Sequence, residues 1–137
     1  FTGLLRAAPA VALVETVPVF AQIDALQIQQ VLLNLLKNAR DAQRDSPAPV
    51  PPIEVRITAT EGVITVSVRD HGTPLTDAEL AKIFDPFFTT KQEGLGLGLS
   101  ICRTIIEAHG GALTACRAEE GMGLILSFTL PQAPSAT

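Results

Sequence analysis

The apolar residues of this chain change period between its first long helix and the strands that follow, and that change constrains the fold more than any other feature. From Asp24 to about Arg44, Ile28, Val31, Leu32, Leu35, Leu36, Ala39 and Ala42 recur at helical spacing, so the pattern predicts a long amphipathic helix with Asp24 as its cap. Residues 46–52 then carry four of the ten prolines and read as a surface loop or linker. Beyond them Val55, Ile57, Val66 and Val68 alternate every second residue across Ile53–Thr60 and Val63–Arg69, with Glu61-Gly62 as the turn of a hairpin. A one-faced helix and a one-faced hairpin each leave an apolar surface that must be covered, which points to an α+β sandwich.

The remaining segments extend that reading. Residues 10–15 and 19–23 are short β-favouring runs separated by Pro18. Residues 76–83 read as a short helix, with Thr76 as cap and Glu79 completing a capping box. A glycine-rich stretch from Gly94 to Gly98 leads into a helix that ends at His109, where Gly110-Gly111 terminates it. Residues 112–118 and 124–130 are closing strands, and helices alternate with hairpins rather than with single strands, which excludes a doubly wound parallel sheet. With neither Met nor a cap at its start, the chain reads as a piece of something longer: a residual linker over 1–9, one folded domain over 10–131 and a disordered tail over 132–137. At 137 residues, 47% hydrophobic and 18% charged, a single ordered core is expected. The net charge of −4 argues against nucleic acid as the main partner. No apolar run approaches the ~20 residues of a membrane span, so no direct membrane contact and a cytoplasmic setting are expected. The two cysteines, Cys102 and Cys116, make no disulfide framework and read as buried small hydrophobes, redox switching being the alternative.

Three polar features stand out from this scaffold. Gln27, Gln30, Asn34, Lys37, Asn38 and Asp41 share one flank of the long helix. A solvated face explains such a stripe, yet Asn weakens a helix interior by about 0.5 kcal/mol relative to Ala, and Asn34 and Asn38 at i, i+4 present neutral carbonyl oxygens that suit Mg²⁺. Asp70-His71-Gly72 follows a strand and is either a plain turn or a buried acceptor for an exocyclic amine, with Gly72 admitting a flat ring. Gly94, Gly96 and Gly98 form either a mobile loop or a concave anion site beside a helix N-terminus; the stretch is neither a P-loop nor a dinucleotide fingerprint. Phe84, Phe87 and Phe88, half of the six aromatics, suggest a lid hinged on an apolar anchor, and Lys91 stands where it could reach a phosphate.

Together these motifs, in this order, resemble the ATP-binding catalytic domain of bacterial sensor histidine kinases, within the wider fold shared with DNA gyrase, mismatch-repair and heat-shock chaperone ATPases. The resemblance rests on Gln30-Val31-Leu32-Leu33-Asn34-Leu35-Leu36-Lys37-Asn38-Ala39, on Asp70-His71-Gly72, on Phe84-Asp85-Pro86-Phe87-Phe88-Thr89-Thr90-Lys91, and on Gly94 to Gly98 with Leu99-Ser100-Ile101. Glu107-Ala108-His109-Gly110-Gly111 completes it, and the Thr-Thr-Lys segment and short lid look most like the nitrogen-, oxygen- and dicarboxylate-sensing kinases. It implies a two-layer sandwich, a mixed sheet against helices, with a flexible glycine-rich lid over ATP. By that likeness Asn38 would ligate Mg²⁺, Asn34 would assist at the phosphates, Asp70 with Gly72 would take the adenine, and Gly94, Gly96, Gly98 and Leu99 would wrap the phosphate tail. Lys37 and Lys91 are further candidates for phosphate neutralisation. The chain departs from the family pattern at Pro74, in place of a second glycine, at Asp41, where many relatives carry lysine, and at Leu124-Ile125, in place of a threonine.

Gyrase-like members hold a water-activating glutamate four residues before the metal asparagine. This chain has Asn34 there, which cannot act as a general base, so phosphoryl transfer is favoured over hydrolysis. The acceptor histidine of such kinases lies in a motif absent from this sequence: His71 sits in the adenine loop and His109 ends a helix, where a cation-capable side chain suits the dipole. The expected partners are therefore a histidine-containing dimerisation domain and a response regulator. The isolated chain is expected to be monomeric and unable to phosphorylate itself. The alternative is a non-catalytic nucleotide-binding or partner-docking module of a degenerate kinase.

Overall fold

The computed structural model describes residues 11–16, 19–44, 46, 50–88, 98–119 and 123–134. In chain order these form β1 (Val11–Glu15), α1 (Ala25–Gln43), β2 (Ile53–Thr60), β3 (Val63–Arg69), α2 (Asp77–Ala81), α3 (Gly98–Ala108), β4 (Leu113–Arg117) and β5 (Leu124–Pro131). The sheet order is β1-β2-β3-β5-β4. β1 runs parallel to β2, with Val11 opposite Ile53, and the other pairs are antiparallel. The parallel pair follows from α1, which carries the chain back over the sheet between the two strands. The sheet is therefore mixed, as the resemblance implied.

One face of the sheet is covered. β3 and β5 turn alternate residues inward, Ile64, Val66 and Val68 on one, Leu124, Leu126, Phe128 and Leu130 on the other. Against them pack Val31, Leu35 and Ala39 of α1 and Cys102 and Ile106 of α3. A buried Leu, Val or Phe side chain of this kind contributes about 1.5–3 kcal/mol. On the other face Thr65 stands opposite Thr129 and Ser67 opposite Ser127, a polar surface. Among the described residues no helix is long and apolar enough to cross a membrane.

The local signals in the sequence are realised closely. The Asp24 carboxylate accepts from the Gln27 N–H at 3.1 Å and starts α1. Thr76 and Glu79 form the reciprocal capping box of α2. Both residues of the β2–β3 turn have positive φ, Glu61 at 53° and Gly62 at 79°, the twist that a two-residue hairpin requires.

Residues 19–23 depart from expectation. They form no strand: Phe20 and Ile23 are exposed, and the Phe20 carbonyl takes a hydrogen bond from Ala133 N–H at 2.6 Å. Their composition favours extended backbone, but this segment has to connect the edge strand β1 to the start of α1, and a strand exists only where a neighbour lies alongside. Cys116 also departs, being exposed on edge strand β4 while Cys102 is buried. Of the three clustered phenylalanines, Phe84 packs on the core with Arg103 above its ring at 5.6 Å, Phe87 is exposed and Phe88 is half-buried.

Candidate functional site

Asp70 follows the last residue of β3 and is only 2% exposed. Its backbone N–H continues the ladder to Leu124 O at 3.0 Å. Its carboxylate Oδ1 accepts from Gly72 N–H at 2.9 Å and from Leu124 N–H at 3.3 Å. The side chain thus ties its own loop to the first residue of β5. Burial pushes the Asp70 carboxyl above the usual carboxylate range, and the two backbone donors oppose that shift only in part. A carboxylate held this way is a strong acceptor for any N–H group that reaches it.

The loop is fastened to the end of α1. A Cβ on Gly72 would lie 2.2 Å from the carbonyl oxygen of Ala42, so only glycine lets the two backbones meet. This gives Gly72 a second reason beside the one read from the sequence: helix α1 itself requires the missing side chain. His71 N–H donates to Gln43 Oε1 at 2.7 Å, Gln43 Nε2 donates to Pro51 O at 3.3 Å, and His71 Nε2 lies 3.2 Å from Glu54 Oε2. From the β5 side Gly123, at φ +95°, brings its Cα so near that a Cβ would lie 2.0 Å from Asp70 O.

Asn34 and Asn38 lie one turn apart on the same helix, and both are partly buried. Asn34 Nδ2 donates to Cys102 Sγ of α3 at 3.5 Å, and its Oδ1 accepts from Gln30 Nε2 at 3.4 Å. Ala42, against which the Asp70 loop rests, is one turn beyond Asn38 and about 12 Å along the helix axis from Asn34. One rigid element therefore sets the spacing between a buried carboxylate and two carboxamides. Among the described residues there is no cluster of three or more His, Cys, Asp or Glu. A hard divalent ion here would rest on the carboxamide oxygens together with oxygens of its own ligand, a set that suits Mg²⁺.

The other candidate residues divide. Gly98 and Leu99 open α3, Leu99 packing on the core. Lys91, Gly94 and Gly96 lie outside the described residues, as does the expected lid. Lys37 faces a groove of about 370 Å³ with Leu33, Leu36, Arg40, Val11 and Ile53, and Asn34 reaches it too, but Asp70 does not.

Two polar residues make contacts that the sequence pattern does not show. Gln43 is 4% exposed, and the signal for it was a polar residue in the i, i+4 register of Leu35 and Ala39. His109 was assigned to the helix dipole; in the structure its Nδ1 lies 2.8 Å from Ile105 O and its Nε2 accepts from Asp24 N–H at 3.1 Å. That pattern makes the ring a bridge from the end of α3 to the start of α1.

Comparison with known proteins places these features in context. Residues 23–134 match the family model described as histidine kinase-, DNA gyrase B-, and HSP90-like ATPase. The C4-dicarboxylate transport sensor protein DctS of Rhodobacter capsulatus is 40% identical over 110 residues, 80% of this chain and 17% of the relative. Sensor protein FixL of Bradyrhizobium diazoefficiens is 44% identical over 113 residues, 80% of this chain and 21% of the relative. The chain thus spans about a fifth of the length of these curated relatives. Among solved structures, the catalytic domain of histidine kinase ThkA, nucleotide-free, superposes with a TM-score of 0.70 at 39% identity, over 82% of this chain and 70% of that one. Full-length ShkA in complex with AMPPNP superposes with a TM-score of 0.75 at 28% identity, over 93% of this chain and 26% of that one.

Proposed function

From a chain that belongs to the histidine kinase-, DNA gyrase B-, and HSP90-like ATPase family, we infer a domain that binds ATP with Mg²⁺ and hands the γ-phosphoryl group to a histidine on a separate dimerisation domain, in two-component signalling. The observation that carries this reading is the buried Asp70 carboxylate, held on a loop seated against the helix that bears Asn34 and Asn38. In it Asp70 accepts the exocyclic amine of adenine, the face of the base lying along the Asp70–Gly72 loop. Asn38 holds the metal through its carbonyl oxygen and Asn34 supports the phosphates; Gly94, Gly96, Gly98, Leu99, Lys37 and Lys91 are assigned to the phosphate tail. Mg²⁺, when bound, supplies charge neutralisation between phosphate oxygens.

The chain's own contribution to the reaction is placement. Asn34 stands where a water-activating glutamate would be needed, and a carboxamide takes up no proton at neutral pH, so water bound beside it gains no general base. Transfer to an incoming histidine needs only alignment and charge stabilisation, which this domain and the acceptor domain divide between them. A response regulator is the onward recipient, and the site of action is the cytoplasm.

Calorimetry with ATP and Mg²⁺ tests the reading: micromolar-range binding by the 137-residue chain is expected, with no label taken up by the chain alone from γ-labelled ATP. Binding heats that are absent would instead favour the docking-module reading, for which the relevant features are the departures from the family pattern at Pro74 and Leu124-Ile125.

A further inference from the structure

We propose that the buried thiol of Cys102 is a positioning residue that sets which way round the Asn34 carboxamide stands; this rests on the ATP-binding reading above. The two ends of a carboxamide are nearly the same size, so packing alone does not distinguish Oδ1 from Nδ2, and a partly exposed asparagine can present either. Here a chain of directed hydrogen bonds removes the choice. The Cys102 S–H points to Val31 O at 3.9 Å, so its sulfur offers lone pairs, and no proton, to its other neighbour. That neighbour is Asn34 Nδ2, at 3.5 Å, which donates to it. With Nδ2 committed to α3, Oδ1 is turned away from the sulfur, where it takes the Gln30 amide at 3.4 Å and keeps a second lone pair.

The reversed amide would set Oδ1 against sulfur lone pairs and present an N–H₂ group in its place. Mg²⁺ keeps several waters, so Oδ1 would serve the phosphates by accepting from the water shell of the ion on Asn38, which an N–H₂ group does not do. Cys102 is 0% exposed and lies between Val31 and Asn34, so the thiol itself is out of reach of solvent and of any ligand. Its role is therefore separable from binding contacts of its own.

The test uses two substitutions at one position and two readouts. Cys102→Ser keeps a donor and an acceptor beside Asn34, and Cys102→Val keeps apolar bulk but offers neither. In the free protein, the Asn34 side-chain N–H₂ pair in the nitrogen–proton correlation spectrum should stay dispersed and slow to exchange in wild type and Cys102→Ser, and collapse toward the solvent-exposed position in Cys102→Val. With ATP and Mg²⁺, Cys102→Val should bind roughly two- to tenfold more weakly, the span of one ordinary hydrogen bond. Cys102→Ser should stay near wild type, and Cys102→Val should cost nothing further in an Asn34→Ala background. Additive losses in that cycle, equal losses for Ser and Val, or an unchanged N–H₂ pair in Cys102→Val would overturn the proposal. If wild type bound no nucleotide, the functional reading would fail, whereas the free-protein spectrum would still decide whether the thiol orients the amide.

Discussion

Asp70 offers the sharpest test, because its two oxygens carry different loads. Oδ1 holds Gly72 N–H and Leu124 N–H in a site that is 2% exposed. Asp70→Ala strands both donors, at about 1–3 kcal/mol each for a buried unsatisfied group. The loss should be on the order of 4 kcal/mol, which for a domain of this size lowers Tm by roughly 10 °C or more. Asp70→Asn keeps a carbonyl oxygen for the same two donors and should cost less than about 1 kcal/mol, while setting an N–H₂ group against the adenine amine. Nucleotide affinity should fall at least about tenfold, or ~1.5 kcal/mol. The pH dependence has a definite sign. Burial raises the native pKa of Asp70 above its usual 3.8, so between those two values the folded state binds more protons than the unfolded one, and stability falls as pH rises through that window. Urea titrations at stepped pH should show wild type losing stability relative to Asp70→Asn from about pH 4 upward, then a constant difference. An Asp70→Asn protein as unstable as Asp70→Ala, or a wild-type advantage that grows over the same window, would refute the reasoning.

Two further substitutions address how the site is held. Gly72→Ala places a methyl 2.2 Å from Ala42 O, backbone against backbone; thermal and urea melts should show a loss of at least about 3 kcal/mol, and near-wild-type stability would mean the loop does not sit against α1. His109→Leu keeps most of the bulk but loses the bonds to Ile105 O and Asp24 N–H; a cost of about 1–2 kcal/mol is expected, with faster amide exchange in the first turn of α1 as the check.

The sequence was most informative where the interactions are short in range. The Asp24 cap, the Thr76–Glu79 box and the Glu61-Gly62 turn each close within a few residues, and all three stand where the pattern put them. Residues 19–23 failed for the complementary reason: extended propensity is local, whereas being a strand depends on a neighbour that only the assembled sheet provides. The same holds for Cys116, whose apolar character says nothing of its place on an edge strand. The residues proposed for the site were readable as types: two carboxamides one turn apart, and an acid at a strand end.

What the sequence determined by itself was most of the elements, the apolar face of the long helix and of the hairpin, and the family, because side-chain periodicity and backbone sterics act along the chain. What only the tertiary structure decided was which groups meet: Gln43 with His71 across 28 residues, Asp70 with Leu124 across 54, Asn34 with Cys102 across 68, and His109 with Asp24 across 85. Hydrogen bonds act over about 3 Å and are directional, so their partners exist only once the sheet order has brought distant segments side by side.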